Sequence, residues 1–321
     1  MKVSIIGMGA FGIALTKILN KDVKVSMWTN FEDELKSVEL KRENSVVLPG
    51  IIIDNKVELT TDMQKCIKNS EVIFLAVPAA AIREVTNLLS NYIDENQVIC
   101  ILTKGIEKDT NMFMLDVVNE SIDNDVCIFA GPSFAIEVAN NGNIGMVIAS
   151  DKEETRKKVK DLINCDNVCI SQTSDVIGVE ISSAVKNVFA IICGMIEGMN
   201  ETDSTRAAIL TNLINDFRLI MGILGGKEST IYSYAGIGDF LLTCMSPKSR
   251  NYTFGKLLGQ TMNAKKALEN MPVKTIEGLY TLDAIYSILK QKQVSVNSIN
   301  LLYDVIYNEK KINNLLKEIS N

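Results

Sequence analysis

The sequence predicts an α/β protein in which an N-terminal doubly wound sheet precedes an all-α C-terminal domain. Short apolar runs typical of buried parallel strands alternate with helical patterns in the first half of the chain. From Asp175 onward the strand pattern stops and helical periodicity continues. No linker rich in Pro, Gly or Ser marks the change, and we place the boundary between domains 1–176 and 177–321.

The strand assignments rest on β-branched and apolar runs that end at turn-forming residues. The predicted strands are 2–6, 23–28, 71–77, 98–102, 126–129, 145–149 and 168–171. Amphipathic patterns predict helices between them, among them 79–89 and 151–163. Strands that alternate with helices indicate a doubly wound sheet, in which ligands bind beyond the carboxyl ends of the strands.

Composition and charge exclude several classes of protein. Of the 321 residues, 47% are hydrophobic and 22% are charged, which suffices for a large core divided between two domains. The net charge of −6 argues against a dedicated binder of nucleic acid or anionic membranes. The first apolar run is too short for a secretory signal, and run 188–196 is far shorter than the roughly 20 residues that span a bilayer. We therefore expect a cytoplasmic protein.

Cysteine and histidine usage narrows the chemistry. The seven cysteines are dispersed without a Cys-x-x-Cys pair, which is typical of reduced thiols. Cys165 and Cys169 are the closest pair, but the chain has no histidine to complete a zinc site of mixed ligands, and we expect no metal. The lack of histidine also excludes Ser-His-Asp and Cys-His catalysis. If the chain moves protons near neutral pH, lysine is the leading candidate for the acid and base.

The first strand leads into a glycine-rich turn with the spacing of a dinucleotide site. Gly7, Gly9 and Gly12 form G-x-G-x-x-G between a strand and a helix. Gly7 permits the tight turn, Gly9 lets the backbone approach a pyrophosphate, and Gly12 allows close packing of helix and strand. The helix N-terminus then offers free N–H groups to the anion. Domain 1–176 is therefore predicted to be a dinucleotide-binding domain of the Rossmann type.

The end of the second strand gives little information on cofactor preference. An acidic residue is expected there for NAD and an arginine for the 2′-phosphate of NADP. The sequence has Asn30, followed two residues later by Glu32. Because no cation stands at the strand end, we lean slightly to NAD while keeping NADP open.

Helix 178–198 carries the most conspicuous candidate for proton transfer. Between Glu180 and Glu197 its only charge is Lys186, which lies among apolar residues. Desolvation disfavours the charged form of a lysine and can bring its pKa into the range useful for proton transfer. A lysine that extends its ammonium to solvent from a partly exposed helix is an equally good interpretation of this helix alone.

Further candidates follow predicted strands or open predicted helices. Lys104 and the segment 131–135 come after strands, where ligands of such sheets bind. Asp239 follows two glycines and would also make a good N-cap. Ser249-Arg250-Asn251 opens a helix and offers a phosphate an arginine fork, short polar side chains and helix N–H groups.

Taken together, these motifs resemble the bacterial type of NAD(P)-dependent glycerol-3-phosphate dehydrogenase over nearly the whole chain. Each motif is weak alone, but their joint order is highly specific. In order, they are Gly7-x-Gly9-x-x-Gly12, Leu48-Pro49-Gly50, Thr103-Lys104-Gly105, Gly131-Pro132-Ser133-Phe134-Ala135, Val185-Lys186-Asn187-Val188, Ala235-Gly236-x-Gly238-Asp239, Thr243-Cys244, Ser249-Arg250-Asn251 and Glu277-Gly278.

The resemblance implies reversible hydride transfer between NAD(P)H and dihydroxyacetone phosphate, giving sn-glycerol 3-phosphate, a precursor of glycerophospholipids. Domain 177–321 would be the helical substrate and catalytic domain. The residues implied in catalysis are Lys186, Lys104 and Asp239. Those implied in substrate binding are Lys104, Gly131, Ser133, Lys186, Asn187, Asp239, Thr243, Ser249, Arg250 and Asn251. Those implied in cofactor binding are Gly7, Gly9, Ala10, Phe11, Gly12, Asn30, Lys104, Ala135, Arg250, Thr275 and Glu277.

The implied chemistry agrees with the interpretation of the residues. Hydride attack on a ketone creates an alkoxide, which a partly desolvated Lys186 ammonium can stabilise and protonate. Lys104 would add positive potential, and Asp239 could balance and orient the two lysines. The substrate would be a small phosphorylated molecule, and a homodimer through the helical half is a reasonable expectation.

Several positions depart from the family pattern. Asn212 and Leu213 stand where the family usually has arginine and glycine, Tyr232, Ser233 and Tyr234 replace expected glycines, and Ala79 replaces a serine. The departures leave open a dehydrogenase of another phosphorylated or 3-hydroxy-acid substrate on the same two-domain fold. A nucleotide-binding module without turnover is the remaining alternative.

Overall fold

The computed structural model describes residues 1–164, 166–312 and 314–320, so Cys165 of the closest cysteine pair lies outside the described residues. The chain forms two compact units. The first comprises Met1–Lys104 and Phe113–Val176, and the second comprises Gly105–Met112 and Ile177–Asn321. The predicted domains differ from this division only in residues 105–112.

The first unit is built on an eight-stranded sheet in the order β3-β2-β1-β4-β5-β6-β7-β8. Neighbouring strands are parallel except β6 and β7, which are antiparallel. The strands are β1 (Lys2–Ile6), β2 (Lys24–Trp28), β3 (Glu58–Thr60), β4 (Val72–Leu75), β5 (Val98–Ile101), β6 (Val126–Ala130), β7 (Ile144–Ala149) and β8 (Val168–Thr173). The predicted doubly wound sheet is confirmed.

The predicted strands match observed ones within a few residues, but β3 was not predicted. This edge strand has three residues, too few for a recognisable period, and it pairs with β2 from Ser26 to Trp28. The central strands β4 and β5 are wholly buried, which is why they read as continuous apolar runs.

Helices cover the sheet, and the first of them, α1, packs against α6. The helices of this unit are α1 (Ala10–Ile18), α2 (Glu32–Lys41), α3 (Met63–Ile67), α4 (Ile82–Leu89), α5 (Met114–Asn119), α6 (Ala135–Ala139) and α7 (Glu153–Lys160), with a 3₁₀ turn at Ala79–Ala81. The core that α1 shares with the sheet includes Val3, Ile5 and Ile13, none of which is exposed. This packing fixes the turn that joins β1 to α1.

From Val176 onward, the secondary-structure elements that the structure describes in the second unit are all helical, which confirms the predicted all-α C-terminal half. Its helices are α8 (Val176–Gly198), α9 (Asp203–Ile223), α10 (Glu228–Ile231), α11 (Asp239–Met245), α12 (Arg250–Thr261), α13 (Ala264–Glu269), α14 (Glu277–Gln291), α15 (Asn297–Tyr307) and α16 (Leu315–Ser320). A π-helical turn, Tyr234–Gly238, leads directly into α11.

Helix α8 is the central helix of this unit. Its Phe189 packs against Phe217 of α9 and Phe240 of α11, with ring centroids 6.2 and 5.9 Å away. At 23 residues and a mean hydropathy of 1.7, α8 is long and apolar enough to cross a membrane, contrary to our estimate from run 188–196. However, 94% of that apolar window is buried inside the protein, as expected for the core helix of a globular domain.

Candidate active site

The glycine-rich turn has the shape that a dinucleotide requires. Gly7 has φ +118°, and a Cβ there would lie 2.7 Å from the carbonyl oxygen of Ala76. A Cβ on Gly12 would lie 2.3 Å from the carbonyl oxygen of Gly7. Both positions therefore exclude any residue with a side chain, and the turn keeps α1 close to the end of β1.

The N-terminus of α1 is open to an anion. Gly9 is its N-cap and supplies no side-chain hydrogen bond to the first turn. Ala10 and Phe11 follow as half-buried residues of that turn. A helix N-terminus without a capping side chain leaves backbone N–H groups for another acceptor, so these residues fit the pyrophosphate of a dinucleotide.

At the end of β2 the chain presents a polar, uncharged residue. Thr29 is buried and its hydroxyl donates a hydrogen bond to the carboxylate of Glu34, whereas Asn30 is exposed. Asn30 thus lies where the sequence placed it, at the carboxyl end of the strand beside the glycine turn, whose Gly7 N–H donates to Trp28 O over 2.8 Å.

Three of the predicted substrate-site residues lie together after β5 and β6. The Lys104 ammonium donates to the carbonyl oxygen of Gly131 over 3.2 Å, and the Ser133 hydroxyl donates to the same oxygen over 3.1 Å. Gly131 is buried, and a Cβ there would lie 2.4 Å from the carbonyl oxygen of Gly145. Ala135 opens the short helix α6 just beyond. The carboxyl edge of the sheet therefore carries a half-buried ammonium and a hydroxyl on one carbonyl.

In the second unit, Lys186 forms a buried ion pair. Its Nζ lies 2.6 Å from Asp239 Oδ2, and the two side chains are only 7% and 2% exposed. The same ammonium donates to the Thr243 hydroxyl over 3.2 Å, which in turn donates to the carbonyl oxygen of Asp239 over 2.6 Å. Lys186 is therefore not a lysine that extends its charge into solvent.

Local sequence explains how Asp239 reaches this position. The Ser233 hydroxyl accepts a hydrogen bond from Gly236 N–H over 3.2 Å and so caps the π-helical turn. A Cβ on Gly236 would lie 2.2 Å from the carbonyl oxygen of Ile231, so only glycine fits this turn. Asp239 begins α11 without capping it, because its carboxylate faces Lys186. Thr243 follows one turn later on the same face.

A pair of cysteine thiols lies behind the ion pair. Burial, together with the neighbouring Cys193 thiol, raises the pKa of Cys244. The Cys244 thiol lies 4.0 Å from the carbonyl oxygen of Lys186. It remains a neutral thiol at physiological pH and adds no charge next to the ion pair.

Asn187 and Asn251 bond to each other and link three helices. Asn251 Nδ2 donates to Asn187 Oδ1 over 2.9 Å, and Asn251 Oδ1 accepts from Gly278 N–H over 2.9 Å. Both asparagines are buried. The family resemblance implied that both asparagines bind substrate. It pointed to Gly278 only through the Glu277-Gly278 motif, which does not reveal the hydrogen bond from Gly278 N–H to Asn251.

The N-terminus of α12 combines a cap with an exposed arginine. The Ser249 hydroxyl accepts from Tyr252 N–H over 3.3 Å and is the N-cap of α12. Arg250 is exposed, and its Nη2 lies 3.4 Å from Glu277 Oε1. Thr275 lies in the exposed segment before α14. An arginine, a serine and backbone N–H groups therefore meet at one helix end, the combination that suits a phosphate.

Two of the departures from the family pattern have structural roles. Asn212 donates to the Ser320 hydroxyl of α16 over 2.8 Å, and Leu213 is fully buried in the core. Across the described residues, no group of three or more Cys, Asp and Glu side chains is arranged to hold a metal ion.

Comparisons with known proteins show the family of the chain. The family model for the NAD-dependent glycerol-3-phosphate dehydrogenase N-terminus matches residues 2–156, and the model for the C-terminus matches residues 175–317. A Staphylococcus haemolyticus protein named glycerol-3-phosphate dehydrogenase [NAD(P)+] is 31% identical over 99% of this chain and 97% of its own length. A Clostridium acetobutylicum protein of the same name is 34% identical over 95% of this chain and 92% of its own.

A solved structure extends the likeness to the fold. The glycerol-3-phosphate dehydrogenase of Coxiella burnetii is 26% identical and superposes with a TM-score of 0.92, covering 100% of this chain and 98% of its own. The Plasmodium falciparum enzyme, at 19% identity, shares the fold with a TM-score of 0.91 over 100% of this chain and 95% of its own. The chain belongs to the NAD-dependent glycerol-3-phosphate dehydrogenase family.

Proposed function

We propose that this protein transfers a hydride reversibly between NAD(P)H and dihydroxyacetone phosphate, giving sn-glycerol 3-phosphate. The buried Lys186 ammonium carries the proposal, because Asp239 and Thr243 hold it in place. Lys186 lies on α8, and the same helix bonds to the N-terminal turn of α12 through Asn187 and Asn251. One helix of the second unit thus connects a proton donor to a candidate phosphate site.

The proton-transfer role of Lys186 follows from its surroundings. When the nicotinamide is bound, it supplies the hydride for the substrate carbon, and the carbonyl oxygen becomes an alkoxide that needs a proton. An ammonium that is desolvated and held in one orientation stabilises this negative charge better than water does, since it needs no reorganisation during the reaction. In the reverse direction the neutral amine accepts the alcohol proton.

Asp239 and Thr243 position this amine. The carboxylate favours the charged form of the lysine and opposes the effect of burial, so the amine starts the reduction as an acid. Thr243 donates its own proton to the Asp239 carbonyl and therefore accepts from Lys186.

We assign the substrate phosphate to the N-terminus of α12. Arg250 is exposed and held by Glu277 through a contact of 3.4 Å, which a phosphate dianion can replace at little cost. Ser249 and the first backbone N–H groups of α12 add donors at the same end. Lys104, Gly131 and Ser133 remain predicted substrate residues of the first unit.

The cofactor is proposed to bind at the turn of Gly7, Gly9 and Gly12, with its pyrophosphate on the N-terminus of α1. The uncapped first turn of that helix and the close packing of the glycines support this assignment. Asn30 provides neither a carboxylate for the ribose hydroxyls nor a cation for a 2′-phosphate, so both NAD and NADP belong to the proposal, with a slight lean to NAD.

The proposal is tested by following NADH and NADPH absorbance with dihydroxyacetone phosphate. We expect rapid oxidation of at least one reduced cofactor with this ketone and little with 3-oxo acids. Turnover confined to 3-oxo acids would favour the alternative dehydrogenase, and cofactor binding without any turnover would favour a nucleotide-binding module.

Location and assembly complete the proposal. We place the enzyme in the cytoplasm, which the free thiols of Cys66, Cys100 and Cys127 support, because cysteines of exported proteins usually form disulfides. A role in supplying glycerophospholipid precursor follows from the product. We also propose a homodimer through the helical unit, and light scattering of the purified protein tests it.

A further inference from the structure

Helices α8 and α12 of the second unit run in the same direction with a constant register. Asn187 bonds to Asn251, which is 64 positions later in the chain. One turn further along, a Cβ on Gly255 would meet the backbone of Ile191, and two turns along, a Cβ on Gly259 would meet the backbone of Met195. These pairs are also separated by 64 positions (255 − 191 and 259 − 195), so the register holds over two turns.

Glycines on both helices make this contact. A Cβ added to Gly194, Gly198, Gly255 or Gly259 would lie much closer to the facing helix than the roughly 3.5 Å at which carbon atoms touch neighbouring heavy atoms. The distances from that Cβ to the facing carbonyl oxygen are 2.0 Å from Gly194 to Tyr252, 2.1 Å from Gly198 to Lys256, 2.0 Å from Gly255 to Ile191 and 2.4 Å from Gly259 to Met195. Each helix therefore contributes a G-x-x-x-G pair whose glycines face carbonyl oxygens of the other.

This geometry allows backbone-to-backbone packing that side chains would prevent. Small residues spaced by four let two helices approach more closely than the usual interaxial distance of about 8–10 Å. The glycine Cα–H groups then face carbonyl oxygens, and weak Cα–H···O contacts recur at such interfaces. The contact fixes the axial register of two helices more rigidly than packing of flexible side chains would.

The catalytic groups lie at one end of this contact. Lys186 and Asn187 lie on α8 one turn before Ile191, and Ser249, Arg250 and Asn251 open α12 one turn before Gly255. Asn251 also accepts a hydrogen bond from Gly278 N–H, so the position of α12 is coupled to that of α14, which begins at Glu277. A shift of α12 along or away from α8 would move Arg250 relative to Lys186.

We propose that Gly194, Gly198, Gly255 and Gly259 are positioning residues, which set the distance between the proton donor on α8 and the phosphate-binding end of α12. The inference rests on the proposed function, since it assumes that both ends act on one phosphorylated ketone. The facing carbonyls leave no room for a methyl group, so an alanine must push α12 away from α8. A displacement of about 1 Å at a reacting group can cost about 100-fold in rate.

The test compares two ketones that differ only in the phosphate. Gly255→Ala is measured with dihydroxyacetone phosphate and with dihydroxyacetone, and Gly222→Ala is the matched control, because Gly222 is a helical glycine of α9 with nothing within 4 Å of its would-be Cβ. We expect Gly255→Ala to lower kcat/KM for the phosphorylated ketone by about 10- to 100-fold, mainly through a higher KM. The kcat/KM for dihydroxyacetone should change far less. The preference for the phosphorylated ketone should therefore shrink, whereas Gly222→Ala should keep it.

Graded variants guard against misfolding. Gly259→Ala and Gly198→Ala place the methyl group further from Asn251 and should give the same shift in preference to a smaller degree. Equal losses with both ketones, or a lowered melting temperature with the preference intact, would overturn the inference and leave the glycines with a merely structural role. Failure of the proposed function is a separate result, since the unaltered enzyme would then not turn over dihydroxyacetone phosphate at all.

Discussion

Lys186 Nζ and Asp239 Oδ2 lie 2.6 Å apart in a site where both side chains are more than nine-tenths buried. Desolvation of two charges is costly, and a buried pair often contributes little to stability compared with apolar residues of the same volume. The pair is therefore better explained by what it does to the lysine. It keeps an amine inside the protein, charged and in one orientation, on a stretch of helix that carries no other charge between Glu180 and Glu197.

Replacing Lys186 with alanine should remove proton transfer. Because a positioned acid or base contributes about 10²- to 10⁴-fold, we expect kcat for dihydroxyacetone phosphate reduction to fall by at least about 100-fold. NADH binding, measured by fluorescence titration, should be nearly intact, since Lys186 lies in the second unit and the glycine turn in the first. Unchanged turnover would remove Lys186 from the mechanism. A melting curve checks that the variant is folded at the assay temperature.

Asp239→Asn should change the pH dependence of the reaction. The carboxylate favours the charged amine, so without it Lys186 should lose its proton at lower pH. Reduction of the ketone needs the charged form, and the alkaline limb of the kcat profile should therefore move to lower pH. Stability should also fall by about 3–5 kcal/mol, the usual result of removing one partner of a buried pair. A profile that keeps its alkaline limb would contradict the role given to Asp239.

Arg250→Ala should act mainly on substrate binding. The guanidinium is exposed and bound to Glu277 through a long contact, so its loss should scarcely affect stability. A charge-assisted bond to phosphate is worth about 1.5–3 kcal/mol, which corresponds to a rise in KM of roughly 10- to 100-fold. Steady-state kinetics with varied dihydroxyacetone phosphate measure it. An unaltered KM would contradict the phosphate-binding role, and Arg218→Ala on the exposed surface of α9 is the control.

Patterns local in sequence predicted much of this protein. Gly7 and Gly9 lie between β1 and α1, and Gly12 lies in the first turn of α1, as expected. The start of α12 at Arg250, capped by Ser249, agrees with the prediction that Ser249-Arg250-Asn251 opens a helix. Apolar neighbours on α8 correctly suggested that Lys186 could be buried. In each case the signal lies within a few residues, where spacing and capping preferences act.

The partners of the site residues could not be predicted, because they come from distant parts of the chain. Lys186 meets Asp239, 53 positions later, only because a π-helical turn redirects the chain before α11. The bond between Asn187 and Asn251 depends on the register of two helices, which tertiary packing decides. Short β3 escaped prediction for a related reason: its three residues gain their strand geometry from pairing with β2.

Asn251→Ala should destabilise the second unit as well as impair catalysis. The change leaves the amide of Asn187 and the N–H of Gly278 without their partner, and each unsatisfied buried group costs about 1–3 kcal/mol. We expect a lowered denaturation midpoint in urea together with a reduced kcat. Asn212→Ala, which removes a hydrogen bond to Ser320 at the half-buried surface of α9, is the control and should have the smaller effect. Equal midpoints for the two variants would show that the Asn251 bridge contributes nothing special.

Asp216→Asn should stabilise the protein at neutral pH. Asp216 accepts a hydrogen bond from Ser298 N–H over 3.2 Å, yet burial is the larger effect and raises the pKa of its carboxyl above the usual value near 3.8. Because the folded state holds this proton to higher pH than the unfolded state, the contribution to stability is complete below the unfolded pKa and is lost as pH rises through the folded pKa. Asparagine keeps an acceptor for Ser298 and cannot ionise, so its melting temperature should exceed that of the unaltered protein at pH 7, with the advantage shrinking toward pH 4. Asp123→Asn, at an exposed loop position, is the control. An Asp216→Asn advantage that grows on acidification would contradict the sign derived from burial.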